Sequence, residues 1–253
     1  MRIWTSRPGL ALVLLLAGCG GFGPVGSPPV REMAVTSDRV IVAGPDGFCI
    51  DPGSTRESED SAFVLLGNCA VISNRRSAGQ PSVRAVLTAS ISEADPEQSL
   101  RDAIPELDAF FSSDEGRQLL SRSGEADTVE LLDSFHQGEV YFLRARDSST
   151  SDLQGVSHDY WRSYLDVGDR IATLTVLGTE ESPIDAETSL GTLRSFTDAV
   201  LAANDGVGGA PPVAAAQPRP APTSPRPAPA PAAAPATGGA LWNIGLFRRI
   251  MGN

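Results

Sequence analysis

The chain has 253 residues, with 31 acidic and 20 basic side chains, every basic one an arginine, and a formal net charge of −11. This length suits one ordinary core with tails, and so acidic a balance excludes a typical nucleic-acid binder, which needs clustered cations against phosphates. The charge is also divided: residues 19–205 hold 14 arginines against 31 acids, whereas residues 206–253 hold four arginines and no acid. The body is expected to be repelled by anionic lipid headgroups that the basic tail can approach.

The chain opens with Arg2 and Arg7, then the apolar run of residues 10–16, then Leu16-Ala17-Gly18-Cys19. The apolar run is of signal-peptide length and too short to span a bilayer, as is every later run. An ordinary signal peptide or a short buried helix would also account for it. The tetrapeptide resembles a bacterial lipobox, in which small residues let a peptidase reach the backbone before a cysteine. The resemblance implies removal of residues 1–18, lipidation of Cys19 and membrane attachment through that lipid. Gly20 stands where Asp would retain such a lipoprotein at the inner membrane, so the resemblance further implies the periplasmic face of the outer membrane of a Gram-negative cell.

Residues 19–34, rich in Gly, Pro and Ser, read as a flexible tether, and folding is expected from Val35. Val40, Ile41 and Val42 and then Phe48, Cys49 and Ile50 flank Gly44-Pro45-Asp46-Gly47, a turn between two β-rich runs, which predicts a hairpin. The apolar run 62–72 and the alternating run 82–91 predict two more strands. Cys49 and Cys69 predict a structural disulfide in an exported domain, worth about 3 kcal/mol in the chain-entropy model. Two cysteines with no histidine at ligand spacing are too few for zinc, and the pair is not a CxxC redox motif.

Asp95-Pro96-Glu97 carries N-cap, first-turn proline and acid, predicting a helix start, with Pro105 beginning a second turn or a kink. Another start at Ser113-Asp114-Glu115 leads to a stop at Gly124. Strands are predicted at 128–132 and 140–144 around Gln137-Gly138, and at 160–165 and 171–177 around Val167-Gly168-Asp169. A closing helix over 186–203 has Leu190, Leu193, Phe196, Thr197, Val200 and Leu201 at helical spacing, with Asn204 near its end. This order predicts an α+β domain over 35–205, with a mostly antiparallel sheet flanked by helices. The order resembles the α/β/α sandwich of PsbP-type extrinsic photosystem proteins. The segments 45–49, 63–69 and 116–124 resemble those of uncharacterised alphaproteobacterial lipoproteins, a likeness that implies compartment and no activity.

Residues 206–239 alternate Pro and Ala and cannot bury a core, so they predict a disordered, extended spacer. Residues 240–253 differ: on a helical wheel Trp242, Ile244, Leu246, Phe247, Ile250 and Met251 form one broad apolar arc, and Gly245, Arg248, Arg249 and Gly252 the other. So short a helix needs a surface to bury into, whether a groove on an envelope partner protein, a membrane interface or its own domain. Presentation to a partner is the expected use of a motif at the end of a long spacer.

For chemistry, Ser157-His158-Asp159 has the residue types of a hydrolase triad, but neighbours on a strand face opposite ways. No GxSxG, HExxH, phosphate-binding or dinucleotide fingerprint occurs, and Asp147 to Asp152 lacks the glycine and distal glutamate of a calcium loop. No catalytic activity, cofactor or metal is expected. Tyr160, Trp161 and Tyr164 are the local aromatic cluster; strand-to-helix packing explains them, and a ligand cleft would need several of the rings exposed together. The expected function is a noncatalytic interaction or scaffold module, with a tethered small-molecule or apolar-cargo binder as the alternative.

Overall fold

A computed structural model describes residues 27–37, 39–94, 99–149 and 155–205. The chain begins with β1 (Glu32–Val35) and β2 (Val40–Ala43), followed by β3 (Phe48–Ile50), β4 (Arg56–Glu57) and β5 (Ala62–Asn68). A helical turn, α1 (Cys69–Ile72), leads to β6 (Ala85–Glu93), then α2 (Leu100–Ser112) and α3 (Asp114–Leu120). The strands β7 (Val129–Gln137), β8 (Val140–Asp147), β9 (Val156–Val167) and β10 (Arg170–Thr179) precede the closing α4 (Ala186–Asn204).

Eight strands form one sheet in the order β3-β5-β6-β10-β9-β8-β7, with β4 beside β5, and β1 and β2 pair separately. Every pairing is antiparallel. α4 covers one face and α2 with α3 the other, so the fold class is the α+β one expected, layered helix, sheet, helix. Each face has its own core. Against α4 lie Leu66, Leu87, Ala89, Leu174 and Val176, meeting Leu193, Phe196 and Val200. Against α2 and α3 lie Tyr141, Leu143, Tyr160, Tyr164 and Ile171, meeting Leu107, Phe111 and Leu120.

Four expectations need correction. The hairpin expected from 40–50 does not form: the turn is present, with Phe48 N donating to the Pro45 carbonyl at 3.0 Å, but β2 pairs β1 while β3 pairs β5. Pairing also starts before residue 35, because Ile50 N donates to the Val30 carbonyl at 2.8 Å and β1 begins at Glu32. The apolar run 62–72 is not one strand; Asn68 caps a helical turn by accepting from Ala70 N at 2.9 Å. α2 starts at Leu100 behind the Ser99 cap, and Asp95-Pro96-Glu97 lies outside the described residues.

Pro105 lies inside α2 without ending it. It falls on the exposed side, so the Arg101 carbonyl that it leaves without a helical donor lies towards solvent. The Asp166 carboxylate at the end of β9 accepts from Leu100 N at 3.2 Å and Arg101 N at 3.3 Å, fastening the start of α2 to the sheet.

Candidate functional site

β9 carries the aromatic cluster, and the two-residue period of a strand divides it. Tyr160, Arg162 and Tyr164 point to the α2 and α3 side, and Trp161, Ser163 and Leu165 to the α4 side. Tyr160 and Tyr164 pack with Leu120 and Phe111, the Tyr164 and Phe111 rings being 5.2 Å apart. Trp161 meets Phe135 edge to face at 5.9 Å. All three rings are buried, at 3% exposure or less, so they share no cleft and the condition for a ligand site among them is not met.

The sequence reading missed the cation between the two tyrosines. Arg162 is buried; its Nε donates to Thr175 Oγ1 at 3.2 Å, its Nη1 to the Tyr164 hydroxyl at 3.4 Å, and its guanidinium lies 5.0 Å from the Tyr160 ring centre. Burial alone would depress its pKa, but Tyr164, Tyr160 and Asp147 more than offset that, and the group is held above its ordinary value. Burial raises both phenols, so their protons stay on. The Tyr160 hydroxyl donates to the Leu120 carbonyl at 3.0 Å and thereby holds the end of α3. Tyr141 is raised by burial and by its bond at 2.6 Å to the Asp108 carboxylate, which also accepts from Ser134 Oγ. The Tyr160 and Tyr141 hydroxyls close helices onto the sheet, while Arg162 ties β9 to β10, and the signal in the sequence is an arginine flanked two residues away by tyrosine on both sides.

Ser157-His158-Asp159 forms no relay. His158 Nδ1 lies 2.7 Å from the Asp147 carbonyl oxygen, while Asp159 pairs with Arg144 at 3.2 Å and Arg146 at 2.8 Å. Asp147 itself is buried, accepts from Arg122 N and Ser149 N, and sits 3.8 Å from Arg122 Nε. Among the described residues no group of three or more His, Cys, Asp and Glu is arranged to hold a metal.

A groove of about 580 Å³ lies where the Gly44–Gly47 turn, Val83 and the middle of α4 meet. Phe48 and Ala199 form its apolar part, and Asp46, Thr192 and Asp198 supply polar groups. Nearby, Cys49 on β3 and Cys69 at the start of α1 are disulfide-bonded, and both are buried. The disulfide forms as expected, but it ties β3 to the first residue of α1 and not to a second strand, with Cys49 opposite Gly67 of β5.

α1 ends in a tight turn with Asn74 at φ 51°, where Asn74 N donates to the Val71 carbonyl at 3.2 Å and Arg75 N to the Ala70 carbonyl at 3.1 Å. The loop that follows packs on the Gly44–Gly47 turn. A Cβ on Gly47, at φ +82°, would lie 2.3 Å from Pro81 N, so only glycine fits under the loop. Cys19 and the terminal Trp242, Leu246, Phe247, Arg248, Arg249 and Ile250 lie outside the described residues.

The sequence matches no protein-family model, and no curated protein matches it. Solved structures similar to the chain include the Ran-binding protein Mog1p of Saccharomyces cerevisiae, with TM-score 0.39 and 10% identity, over 70% of this chain and 97% of that one. The cyanobacterial PsbP protein (CyanoP) of Synechocystis is similar with TM-score 0.35 and 16% identity, over 74% of this chain and 96% of that one. Likenesses this loose carry no argument about what the chain does.

Proposed function

We propose that this protein is a noncatalytic, lipid-anchored interaction module of the bacterial cell envelope, whose C-terminal motif binds an envelope protein. The observation that carries the reading is the order of parts along the chain. A lipobox-like Cys19 precedes a short tether, an acidic disulfide-closed domain, a Pro/Ala spacer, and a tip with Trp242, Phe247, Arg248 and Arg249. The buried disulfide supports an oxidising compartment. At ~3.1 Å per residue the spacer can carry the tip roughly 100 Å from the domain. Free-solution chemistry has no use for such reach, whereas capture of a partner does.

The test is crosslinking and affinity capture from membranes with the full chain and with a chain ending at Gly239. A partner recovered only with the full chain supports the reading; equal recovery from both chains overturns the role of the tip. Cys19→Ser is expected to release the protein from membranes, and tight association of that variant would overturn lipidation as the anchor. The groove beside Phe48 favours a second reading, a tethered binder of a small molecule, which predicts a ligand carried through purification and lost on Ala199→Trp.

A further inference from the structure

Acids are scattered through the whole domain except in one stretch: from Ser61 to Ser92 the chain has none, and it has Arg75, Arg76 and Arg84. The structure buries much of β5 and β6 in the core and gathers the part between them, residues 69–84, into one corner. α1 starts from Cys69, which the disulfide fastens to β3, and the turn at Asn74 then sends the chain back across the Gly44–Gly47 turn to β6. Arg31 joins from the other side, its Nη2 lying 3.4 Å from the point where a Cβ on Gly79 would sit. Arg76 and Arg84 are exposed, and Arg31 stands 4.0 Å from the fully exposed Asp46.

The corner also holds Val71, 76% exposed, the one large hydrophobic side chain standing so far into solvent among the described residues. The acids Glu57, Glu59 and Asp60 belong to the other end of β5, where Glu57 pairs with Ala62, whereas α1 follows Asn68. Across β6 the corner stops at β10, whose Gly178 pairs with Ala85 and leads to Glu180 and Glu181.

The tether enters beside this corner. Val30 is fixed to Ile50 on β3, and ten residues lie between it and Cys19, so an anchored lipid lies within roughly 40 Å of β3 even with the tether fully extended. We propose that the α1 corner is the membrane-facing surface of the domain, with Arg76 and Arg84 against anionic headgroup phosphates and Val71 at the interface. This rests on Cys19 carrying lipid. The rest of the domain is acidic and is repelled by the same headgroups, so attraction at the corner and repulsion elsewhere set one orientation.

The test uses the lipid-bearing full chain in vesicles of phosphatidylcholine with or without phosphatidylglycerol, with photoreactive benzoylphenylalanine at position 71 or, as a control, at the exposed position 187. With phosphatidylglycerol, lipid adducts at position 71 are expected to exceed those at 187 about tenfold. Arg76→Glu with Arg84→Glu, both on exposed side chains, should bring the two yields together while circular dichroism stays unchanged.

Equal yields in the unsubstituted chain, or adducts to protein instead of lipid at position 71, would overturn the orientation. They would leave the anchor reading standing so long as the chain floats with the vesicles. A full chain that fails to float with either vesicle overturns the anchor and the orientation together.

Discussion

The two faces of the sheet are built from the same strands and hold their helices by different physics. On the α4 side the core is apolar, aliphatic side chains together with Phe48, Phe142, Trp161 and Phe196, and Ser163 and Thr197 are bonded to each other at 3.0 Å. On the α2 and α3 side the core mixes aliphatic side chains and rings as well, but it includes a buried cation, two buried phenols and the Tyr141–Asp108 bond. Apolar burial is non-directional, so the first face is fixed by volume. The second depends on donors meeting acceptors at set angles, and a missing partner there leaves a buried polar group unsatisfied.

Removing a large ring should hurt both faces alike. Phe196→Ala and Phe111→Ala each empty a fully buried site, and each is expected to cost about 3–5 kcal/mol in urea unfolding. The disulfide closes the β3 edge of the sheet, where Phe48 and Ile50 face the α4-side core and Cys49 between them faces the other way. Its reduction should cost about 3 kcal/mol, seen as a lower urea midpoint in dithiothreitol.

The faces part company under conservative change. Leu174→Met keeps volume and should cost less than ~1.5 kcal/mol. Arg162→Met keeps a long chain but strips Thr175 Oγ1 of its donor, and about 1–3 kcal/mol is expected. Equal losses from these two would erase the proposed difference between the faces.

What could be read in advance follows the same division. α4 and the β9–β10 pair were legible because their periods run for ten residues or more, and their limits agree with the structure to within a few residues. The turn at Gly44–Gly47 was legible as a turn, but its strands go to different partners because pairing is decided by distant residues. The run 62–72 is apolar on both sides of Gly67 and Asn68, so its change to α1 rested on one side-chain cap from Asn68.

Arg162 was hidden by rule: arginine on a strand reads as solvent-facing, and only the contacts of its ring neighbours reverse that. Gly116 was hidden too, reading as a weak helix former, whereas a Cβ there would lie 2.1 Å from the Phe110 carbonyl oxygen at the α2–α3 junction. Tyr160, Trp161 and Tyr164 are core, as strand-to-helix packing predicted, and the alternative of a ligand cleft among them falls. Cys19 and the terminal motif lie outside the described residues.

The smallest expected effect separates the helix starts of the two faces. α3 is capped by Ser113, whose Oγ accepts from Gly116 N at 3.1 Å, and Ser113→Ala should cost about 1 kcal/mol at any pH, since a hydroxyl does not titrate there. α4 is capped by Asp185, which accepts from Thr188 N at 2.9 Å and Thr188 Oγ1 at 2.7 Å. The Thr188 backbone bond first, and its hydroxyl second, hold the Asp185 carboxyl below the usual carboxylate range.

A carboxylate depressed on folding stabilises the native state fully above its unfolded pKa, and loses that contribution as pH falls through the folded value. Asp185→Asn keeps an acceptor oxygen and discards the charge, so it should be less stable than the parent chain at neutral pH and converge with it in strong acid. A gap between parent and Asp185→Asn that stays constant from neutral to acid pH, measured by urea unfolding at each, would mean that shape and not charge fastens α4. The two faces would then differ in their cores and not in how their helices begin.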